Sequence, residues 1–207
     1  MKFGLGQSAT REEDNRFLRG LGRYTDDINL PDQAASYLVR SPHAHARIKS
    51  IDTDAARHSP GVLAIFTGED ISDVGLGELP SLSAKIYPLK RRDGQPIFVP
   101  PHPILARSKV AFVGDAVAFV VAETRNQARS AAELIDIDYE EIPVNTNTLG
   151  ALAQDAPSVW EECPDNICFQ FETGDQAATD QAFASASHVT GIELPMQRVA
   201  VNAMEPR

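Results

Sequence analysis

The strongest structural pattern in the sequence lies between residues 110 and 139. Two apolar runs, 110–113 and 117–121, are separated by Gly114 and Asp115, a pair that favours a hairpin turn or a bulge. Both runs have the length and composition of β-strands. These residues therefore predict two consecutive strands, which restricts the chain to fold classes that contain a β-sheet.

A helix and a third strand are predicted directly after these two runs. Thr124 and Gln127 have the spacing of a capping box, which marks the beginning of a helix. One face of that helix consists of small apolar side chains, so it can lie close to a sheet. The residues of this face are Ala128, Ala131, Ala132 and Ile135. Residues 135–139 then alternate between apolar and polar side chains, as in a half-buried strand.

The same order of elements is predicted earlier, between residues 36 and 66. Residues 36–40 have the composition of a strand, and the uninterrupted apolar run 62–66 predicts a strand that is covered on both faces. The order strand, strand, helix, strand thus occurs twice, without sequence identity that would mark a repeat. Because this order mixes hairpins with helices, it predicts an α+β fold rather than a doubly wound parallel sheet.

The middle of the earlier block is predicted to contain a second strand and a short helix. The strand alternates with period two. The residues predicted to share one of its faces are Ala46, Ile48 and Ser50. Asp52 or Thr53 is predicted to cap a helix that extends to Arg57.

The predicted loop over residues 72–108 is unusually long for a compact domain. It contains six prolines and no sustained periodicity, so we expect either a functional loop that packs on a partner or a mobile segment. Of these two alternatives we favour packing on a partner. The sequence as a whole suggests an N-terminal arm over residues 1–21, a folded domain over 22–145 and a further region over 146–207.

The further region contains weaker signals of regular structure. We expect strands over residues 166–172 and 188–194, with a helix over 176–186 between them and Asp175 as its N-cap. The residues of the helix that are predicted to face inward are Ala178, Ala182, Phe183 and Ala186.

Charge and cysteine content exclude several classes of protein. The formal net charge of −10 argues against a nucleic-acid partner, because binding to phosphates needs clustered lysine and arginine, and the basic run 90–92 is short. No export signal follows Met1, and no apolar run approaches the roughly 20 residues of a membrane span. Cys163 and Cys168 are too few for a disulfide framework. We therefore expect reduced thiols in a cytoplasmic protein.

His43 and His45 are the first candidates for a functional site. Two histidines at positions i and i+2 of a strand point in the same direction and can share a metal ion. A third ligand is missing nearby, since His58, His102 and His188 are distant in sequence. The favoured alternative is that both imidazoles shape the entry of a strand and form hydrogen bonds with the backbone.

Other candidate motifs also have simpler structural explanations. The adjacent carboxylates 12–13 and 26–27 are expected to be turn residues rather than an acid and base pair. The glycine pairs at 4 and 6, 20 and 22, and 75 and 77 lack the strand and helix context of a phosphate loop. Neither cysteine lies in a nucleophile motif. The sequence therefore assigns no catalytic, cofactor-binding or metal-binding residue.

Several short segments, taken in order, resemble the N-terminal end of the large subunit of molybdenum hydroxylases. The family includes aerobic carbon monoxide dehydrogenase, xanthine dehydrogenase and aldehyde oxidase, and the first of these branches is the most similar. The most distinctive segments are Gly-Arg-Tyr-Thr-Asp-Asp-Ile, Arg-Ser-Pro-His-Ala-His-Ala-Arg-Ile and the final Met-Glu-Pro-Arg. Further matching segments are residues 6–7, 11–14, 59–62, 67–70, 102–106, 113–118, 174–175 and 182–184.

This resemblance implies an α/β hammerhead domain followed by the first elements of a truncated molybdopterin-binding domain. It implies a supporting portion of the large subunit that is inactive alone, with no matching catalytic residue. The complete subunit would hold molybdopterin cytosine dinucleotide. Separate flavin and iron–sulfur subunits would hold FAD and [2Fe-2S] clusters. The family often has proline after Gly-Glu, where this chain has Ala116 after Asp115, and the loss of proline relaxes that turn.

Two other hypotheses remain open from the sequence. One is a stand-alone hammerhead module for binding or assembly without redox activity. The other is an independent hydrolase that uses the histidine or aspartate pairs. If the resemblance holds, residues from about 145 onward lack packing partners, and we expect them to be mobile, to pair with themselves or to rest on a neighbour. The substrate, oligomeric state and natural end of the chain are not specified by these residues.

Overall fold

The computed structural model describes Gly6, residues 11–81 and residues 89–194. The glycine at position 4 and the final Met-Glu-Pro-Arg lie outside this range. The chain divides into two compact units, and the second begins at Ala34. Within the part of the chain that the structure describes, no helix has the length and apolar character needed to cross a membrane.

The described residues of the first unit contain little regular structure. Its helix α1 covers Asp14–Phe17, and a 3-10 turn covers Thr25–Asp27. The rings of Phe17 and Tyr24 stack with their centroids 5.6 Å apart. The Tyr24 amide donates to the Asp27 carboxylate over 2.9 Å, which confirms that Asp27 acts as a turn residue.

In its described residues, the second unit contains six strands, four α-helices and a 3-10 turn at Gly150–Leu152. In chain order, the described elements are β1 Ala35–Arg40, β2 Ala46–Asp52, α2 Asp54–Arg57, β3 Val62–Thr67, α3 Gly68–Asp73, β4 Lys109–Val110, β5 Ala116–Ala122, α4 Arg125–Ala132, β6 Asp136–Glu141 and α5 Gln176–Ser185. The order strand, strand, helix, strand occurs twice, as the sequence predicts. The helix α3 follows the first of these two blocks.

The two blocks are interleaved in two antiparallel three-stranded sheets. The first sheet has the order β1-β5-β3, and the second has the order β4-β2-β6. Each block therefore gives its outer strands to one sheet and its middle strand to the other. The mixed fold confirms the predicted α+β class.

The turn at Gly114 and Asp115 does not form the hairpin that the sequence allows, because β4 and β5 belong to different sheets. Gly114 has φ +91°, a conformation that glycine adopts without steric cost. The Asp115 carboxylate accepts a hydrogen bond from the Ala111 amide at 3.1 Å. The turn therefore directs the chain from one sheet to the other.

Helix α4 and the short helix α2 cover one face of the first sheet. Thr124 accepts a hydrogen bond from the Gln127 amide at 3.3 Å, which confirms the predicted N-cap. Ala128 and Ala131 are fully buried against Ile65 and Val120. A buried Ile or Val contributes about 1.5–3 kcal/mol, and the small alanines allow the helix to lie close to the sheet.

A second apolar cluster joins the two sheets. Ala46 in β2, Val110 in β4 and Val117 in β5 are fully buried together with Ala106. Ile51 packs against this cluster, whereas Ser50 is exposed, because the pairing of β2 with β6 shifts register between Ile48 and Ser50. The predicted apolar face of β2 is therefore wrong at Ser50.

Strand β3 is not covered on both faces. Ile65 is buried beneath the helices, but Leu63 and Phe66 are exposed. The pairing with β5 shifts between Val62 and Ala64, so Leu63 has no partner residue in the neighbouring strand. The continuous apolar run therefore predicts the strand correctly and its burial incorrectly.

The region after β6 differs most from the sequence prediction. Helix α5 begins after Asp175, whose carboxylate accepts from the Ala178 amide at 2.9 Å. The strands expected over 166–172 and 188–194 are absent from the described residues. Every residue over 171–194 is exposed, so the face of α5 that was expected to point inward has no described covering.

Candidate functional site

An apolar depression lies on the face of the first sheet that α4 does not cover. Its floor is a cross-strand row in which Leu38 pairs with Phe119, and Phe119 pairs with Phe66. Its walls come from α3, from the residues after α3 and from the segment before β4. The residues that define this apolar groove are Leu38, Leu63, Phe66, Ile71, Val74, Leu76, Ile104 and Phe119.

The apolar groove is open to solvent in the described part of the chain. Leu63 is 58% exposed and Val74 is 70% exposed, although both are large apolar residues. Phe66, Leu76 and Ile104 are also exposed. A contiguous apolar surface of this kind typically marks an interaction site rather than ordinary surface.

One edge of the groove carries charged residues. Arg57, Asp70 and Asp73 line this edge. Asp70 accepts from the Thr67 amide at 2.7 Å and from the Thr67 hydroxyl at 2.8 Å, and these two bonds, together with Arg57 at 4.0 Å, hold the pKa of the Asp70 carboxyl below its usual range. Asp73 has no ion pair within the described residues.

Gly68 fixes the position of one wall of the groove. A Cβ atom at this position would lie 2.5 Å from the backbone oxygen of Ala106, and the residue is buried at the beginning of α3. Only glycine therefore allows α3 to lie this close to the segment that contributes Ile104. The sequence indicates that Gly68 follows a strand, but not that it contacts another backbone.

The side chains of the two histidines contact different groups. The Nδ1 atom of His45 forms a hydrogen bond of 2.9 Å with the carbonyl oxygen of Pro143. His43 instead lies 3.3 Å from Glu141 and 4.8 Å, between ring centroids, from Tyr139. The backbone interpretation is therefore confirmed for His45, whereas His43 contacts side chains. Among residues 11–81 and 89–194, no three His, Cys, Asp or Glu side chains form a group that suits a metal.

Tyr139 is held in an apolar environment beside the histidine pair. Burial raises the pKa of its hydroxyl, an effect that the Ser41 side chain opposes by hydrogen bonding and the charge of Asp115 reinforces. The Nε2 atom of His45 is buried without a hydrogen-bond partner in the described residues. Tyr139 packs against the apolar cluster that joins the two sheets.

The basic run 90–92 interacts with a later part of the same chain. Arg91 forms an ion pair with Asp165, and Arg92 forms one with Glu172. The Arg91 guanidinium also lies 3.8 Å from the sulfur of Cys163. Together with the hydrogen bond that the Phe98 amide donates to the Cys168 carbonyl oxygen, these contacts join residues 91–98 to 163–172. This part of the long loop therefore packs on the chain itself.

Both cysteines are free thiols in the structure, as the sequence predicts. Cys163 is only 3% exposed, and burial raises the pKa of its thiol. A neutral, buried thiol is a poor nucleophile. Cys163 therefore contributes to packing within the contact between residues 91–98 and 163–172.

The remaining candidate motifs do not assemble into a site. Glu13 lies 3.6 Å from Arg11, and both side chains are well exposed. Gly20 and Gly75 adopt positive φ angles in turns, and neither lies at the beginning of a helix. Of the surfaces formed by the described residues, the apolar groove is therefore the best candidate for function.

Comparison with known proteins places this fold in a family. Residues 19–143 match the family model for the aldehyde oxidase and xanthine dehydrogenase a/b hammerhead domain. The chain is 37% identical to the carbon monoxide dehydrogenase large chain of Afipia carboxidovorans, over 98% of this chain and 25% of that protein. It is 35% identical to the nicotine 6-hydroxylase large subunit of Paenarthrobacter nicotinovorans, over 98% of this chain and 23% of that protein.

Solved structures show the same similarity. Reconstituted CO dehydrogenase from Oligotropha carboxidovorans superposes with a TM-score of 0.69 at 37% identity, covering 89% of this chain and 23% of that chain. Aldehyde oxidoreductase from Desulfovibrio gigas superposes with a TM-score of 0.67 at 30% identity, covering 86% and 19%. The chain thus spans about a quarter of the length of the curated relatives it matches first. It belongs to the α/β hammerhead family of aldehyde oxidase and xanthine dehydrogenase, and it is homologous to the large subunits of molybdenum hydroxylases.

Proposed function

We propose that this chain is the hammerhead portion of the large subunit of a molybdenum hydroxylase similar to carbon monoxide dehydrogenase. In this role it supports the domains that bind molybdopterin and has no turnover alone. The observation that carries the proposal is the match of 98% of this chain to one quarter of a carbon monoxide dehydrogenase large chain. A match of this extent supports a structural role within a larger subunit.

The chemistry of the described residues supports a structural rather than a catalytic role. They contain no cluster of His, Cys, Asp or Glu suited to a metal, and His43 and His45 contact neighbouring parts of the same chain. The described residues thus offer no set of metal ligands of their own. Molybdopterin cytosine dinucleotide would be held by other domains of the large subunit, and FAD and [2Fe-2S] clusters by flavin and iron–sulfur subunits in the cytoplasm.

The chain is proposed to have three parts. The arm would cover residues 1–21, the hammerhead domain 22–145, and the beginning of the molybdopterin-binding region 146–207. The exposure of every residue over 171–194 supports a segment that packs on the rest of the subunit. A stand-alone assembly module is the competing function, and it predicts a chain that folds and binds partners without cofactor domains.

A chimeric enzyme tests the proposal directly. This chain replaces the matching quarter of the Afipia carboxidovorans large chain, and the chimera is produced together with the flavin and iron–sulfur subunits of that enzyme. We expect a complex that contains molybdenum and oxidises carbon monoxide, whereas the 207-residue chain alone shows neither property. A chimera that folds but excludes molybdenum would reject the proposal, as would molybdenum-dependent turnover by the isolated chain.

A further inference from the structure

We propose that the apolar groove is the docking site for one segment of the molybdenum-binding part of the large subunit. That segment would carry large apolar side chains next to a lysine or arginine. This inference rests on the proposed function, which it extends by naming the contact surface and the chemistry of its occupant. The shape, exposure and charge of the groove support this docking.

The two faces of the first sheet are covered unequally. Helix α4 buries Val120 and Ile65 on one face. On the other face, Val117 is buried against the second sheet, but Phe119, two residues further along β5, lies at the floor of the groove. The apolar side chains of this face thus continue beyond the point where the described covering ends.

The walls of the groove are preformed. Asp70 caps the first turn of α3 through two hydrogen bonds with Thr67, and Gly68 brings this helix against the backbone of Ala106. The register shift in β3 leaves Leu63 unpaired beside the groove. Because these walls depend on local hydrogen bonds and backbone contacts, an occupant would bind with little reorganisation of the groove.

The charge at the edge of the groove selects a basic partner. The Arg57 guanidinium and the Thr67 hydrogen bonds engage Asp70, whereas Asp73 is exposed and has no cation within 4.0 Å among the described residues. A lysine or arginine that flanks the apolar segment would complement Asp73. Such complementary charges at the edge of an interface fix the orientation of the partner.

A second copy of this chain is a poorer occupant. Each copy carries a net charge of −10, so association brings like charges together. In a symmetric dimer the groove would face itself, and two concave surfaces leave their floors unfilled. By contrast, the match covers only 23% of a solved relative, so a long stretch of that polypeptide lies outside the match.

The experiment compares the isolated chain with the assembled chimera described above by hydrogen–deuterium exchange. We expect residues 63–76 to exchange at least about tenfold more slowly in the chimera, because docking suppresses local opening of α3 and β3. The variants Leu63→Glu and Val74→Glu replace exposed side chains of the groove. They are expected to abolish this protection and lower the yield of the assembled complex, while the isolated chain keeps its melting temperature.

A matched pair of charge reversals tests the chemistry of the partner. Asp73→Lys alters the edge of the groove, whereas Glu69→Lys makes the same change in α3 at an exposed residue that does not line it. We expect Asp73→Lys alone to reduce the protection of residues 63–76 in the chimera by about fivefold or more. Suppressor substitutions should then exchange a lysine or arginine of the molybdenum-binding part for an acidic residue.

The outcomes separate this inference from the proposed function. If the unaltered chimera fails to assemble, the proposed function fails. If it assembles while residues 63–76 exchange as fast as in the isolated chain, only the docking inference is overturned. Equal effects of Asp73→Lys and Glu69→Lys would reject a basic partner. A dimer of the isolated chain that protects these residues, and that Leu63→Glu dissociates, would identify a second copy as the occupant.

Discussion

Helices α4 and α5 begin with the same kind of N-cap, but α4 is packed on the first sheet and α5 is exposed. Thr124 caps α4, and Asp175 caps α5 through a hydrogen bond with the third residue beyond the cap. Both helices are rich in alanine. In α4 three alanines are buried against the first sheet, whereas every residue of α5 is exposed, including Phe183 at 59%.

The comparison separates two determinants of a helix. A cap and suitable side chains decide where a helix begins, and both can be recognised in the sequence. Most of the stability of a helix comes from tertiary packing, which α4 obtains from β1, β3 and β5. Helix α5 has the local signals without a described surface to pack on, so the two helices should respond very differently to equivalent substitutions.

The largest difference should come from placing a charge on each helix. Ala131→Glu puts a carboxylate at a fully buried position, which should cost more than about 3 kcal/mol because the charge has no partner. Ala182→Glu makes the same change at an exposed position in α5 and should leave the midpoint of urea unfolding unchanged. A large loss of stability in the second variant would show that α5 is packed in solution.

A smaller difference is expected for two glycines. Gly68→Ala should cost about 2–3 kcal/mol, because its Cβ would overlap a backbone oxygen that has little freedom to move. Gly174 precedes α5 and has φ +111°, and no atom lies within 4 Å of a Cβ placed at this position. Gly174→Ala should strain only the local turn. Thermal unfolding should therefore detect Gly68→Ala and not Gly174→Ala.

Removing the N-cap of α4 should change global stability, whereas removing the N-cap of α5 should change only local helix content. Thr124→Ala should lower the free energy of unfolding by about 1 kcal/mol, because α4 is part of the core. Asp175→Ala should reduce the helix content of residues 176–185 in hydrogen-exchange measurements and leave global unfolding unchanged. Equal shifts in global stability would mean that both helices unfold with the core.

The smallest effect concerns acid sensitivity at α3. The pKa of Asp70 is lower in the folded chain than its ordinary value, chiefly because its carboxylate accepts hydrogen bonds from Thr67. The ionised group therefore stabilises the fold above about pH 4, and this contribution is lost as the pH falls further. Asp70→Asn should flatten the loss of stability between pH 4 and pH 2, by a fraction of a kcal/mol since Asp70 is partly exposed.

The sequence predicts the elements of residues 35–141 well because their patterns are local. The cap at Thr124, the alanine face of α4 and the alternation in β6 are all visible over a few residues. Pairing between distant strands is not local, so the sequence suggests a hairpin at Gly114 that does not form. The register shifts at Leu63 and Ser50 are missed for the same reason.

The candidate site could be predicted only in part. The sequence contains a signal for α3, since Thr67 and Asp70 have the spacing of a capping box. The apolar run 62–66 indicates a buried strand, and its exposed residues are recognisable only once the coverage of each face of the sheet is known. The groove exists because no described element covers this face of the sheet, and a local sequence pattern does not specify which face stays uncovered.

The interleaving of the two blocks determines when each sheet can form during folding. Because β5 must pair between β1 and β3, the first sheet stays incomplete until residues after 115 have been synthesised, and the second needs β2 from the first block. Neither block can complete a sheet of its own during translation. Fragments cut within residues 74–108 should therefore recover the fold only when mixed, which makes this long loop a natural position for a split-protein reporter.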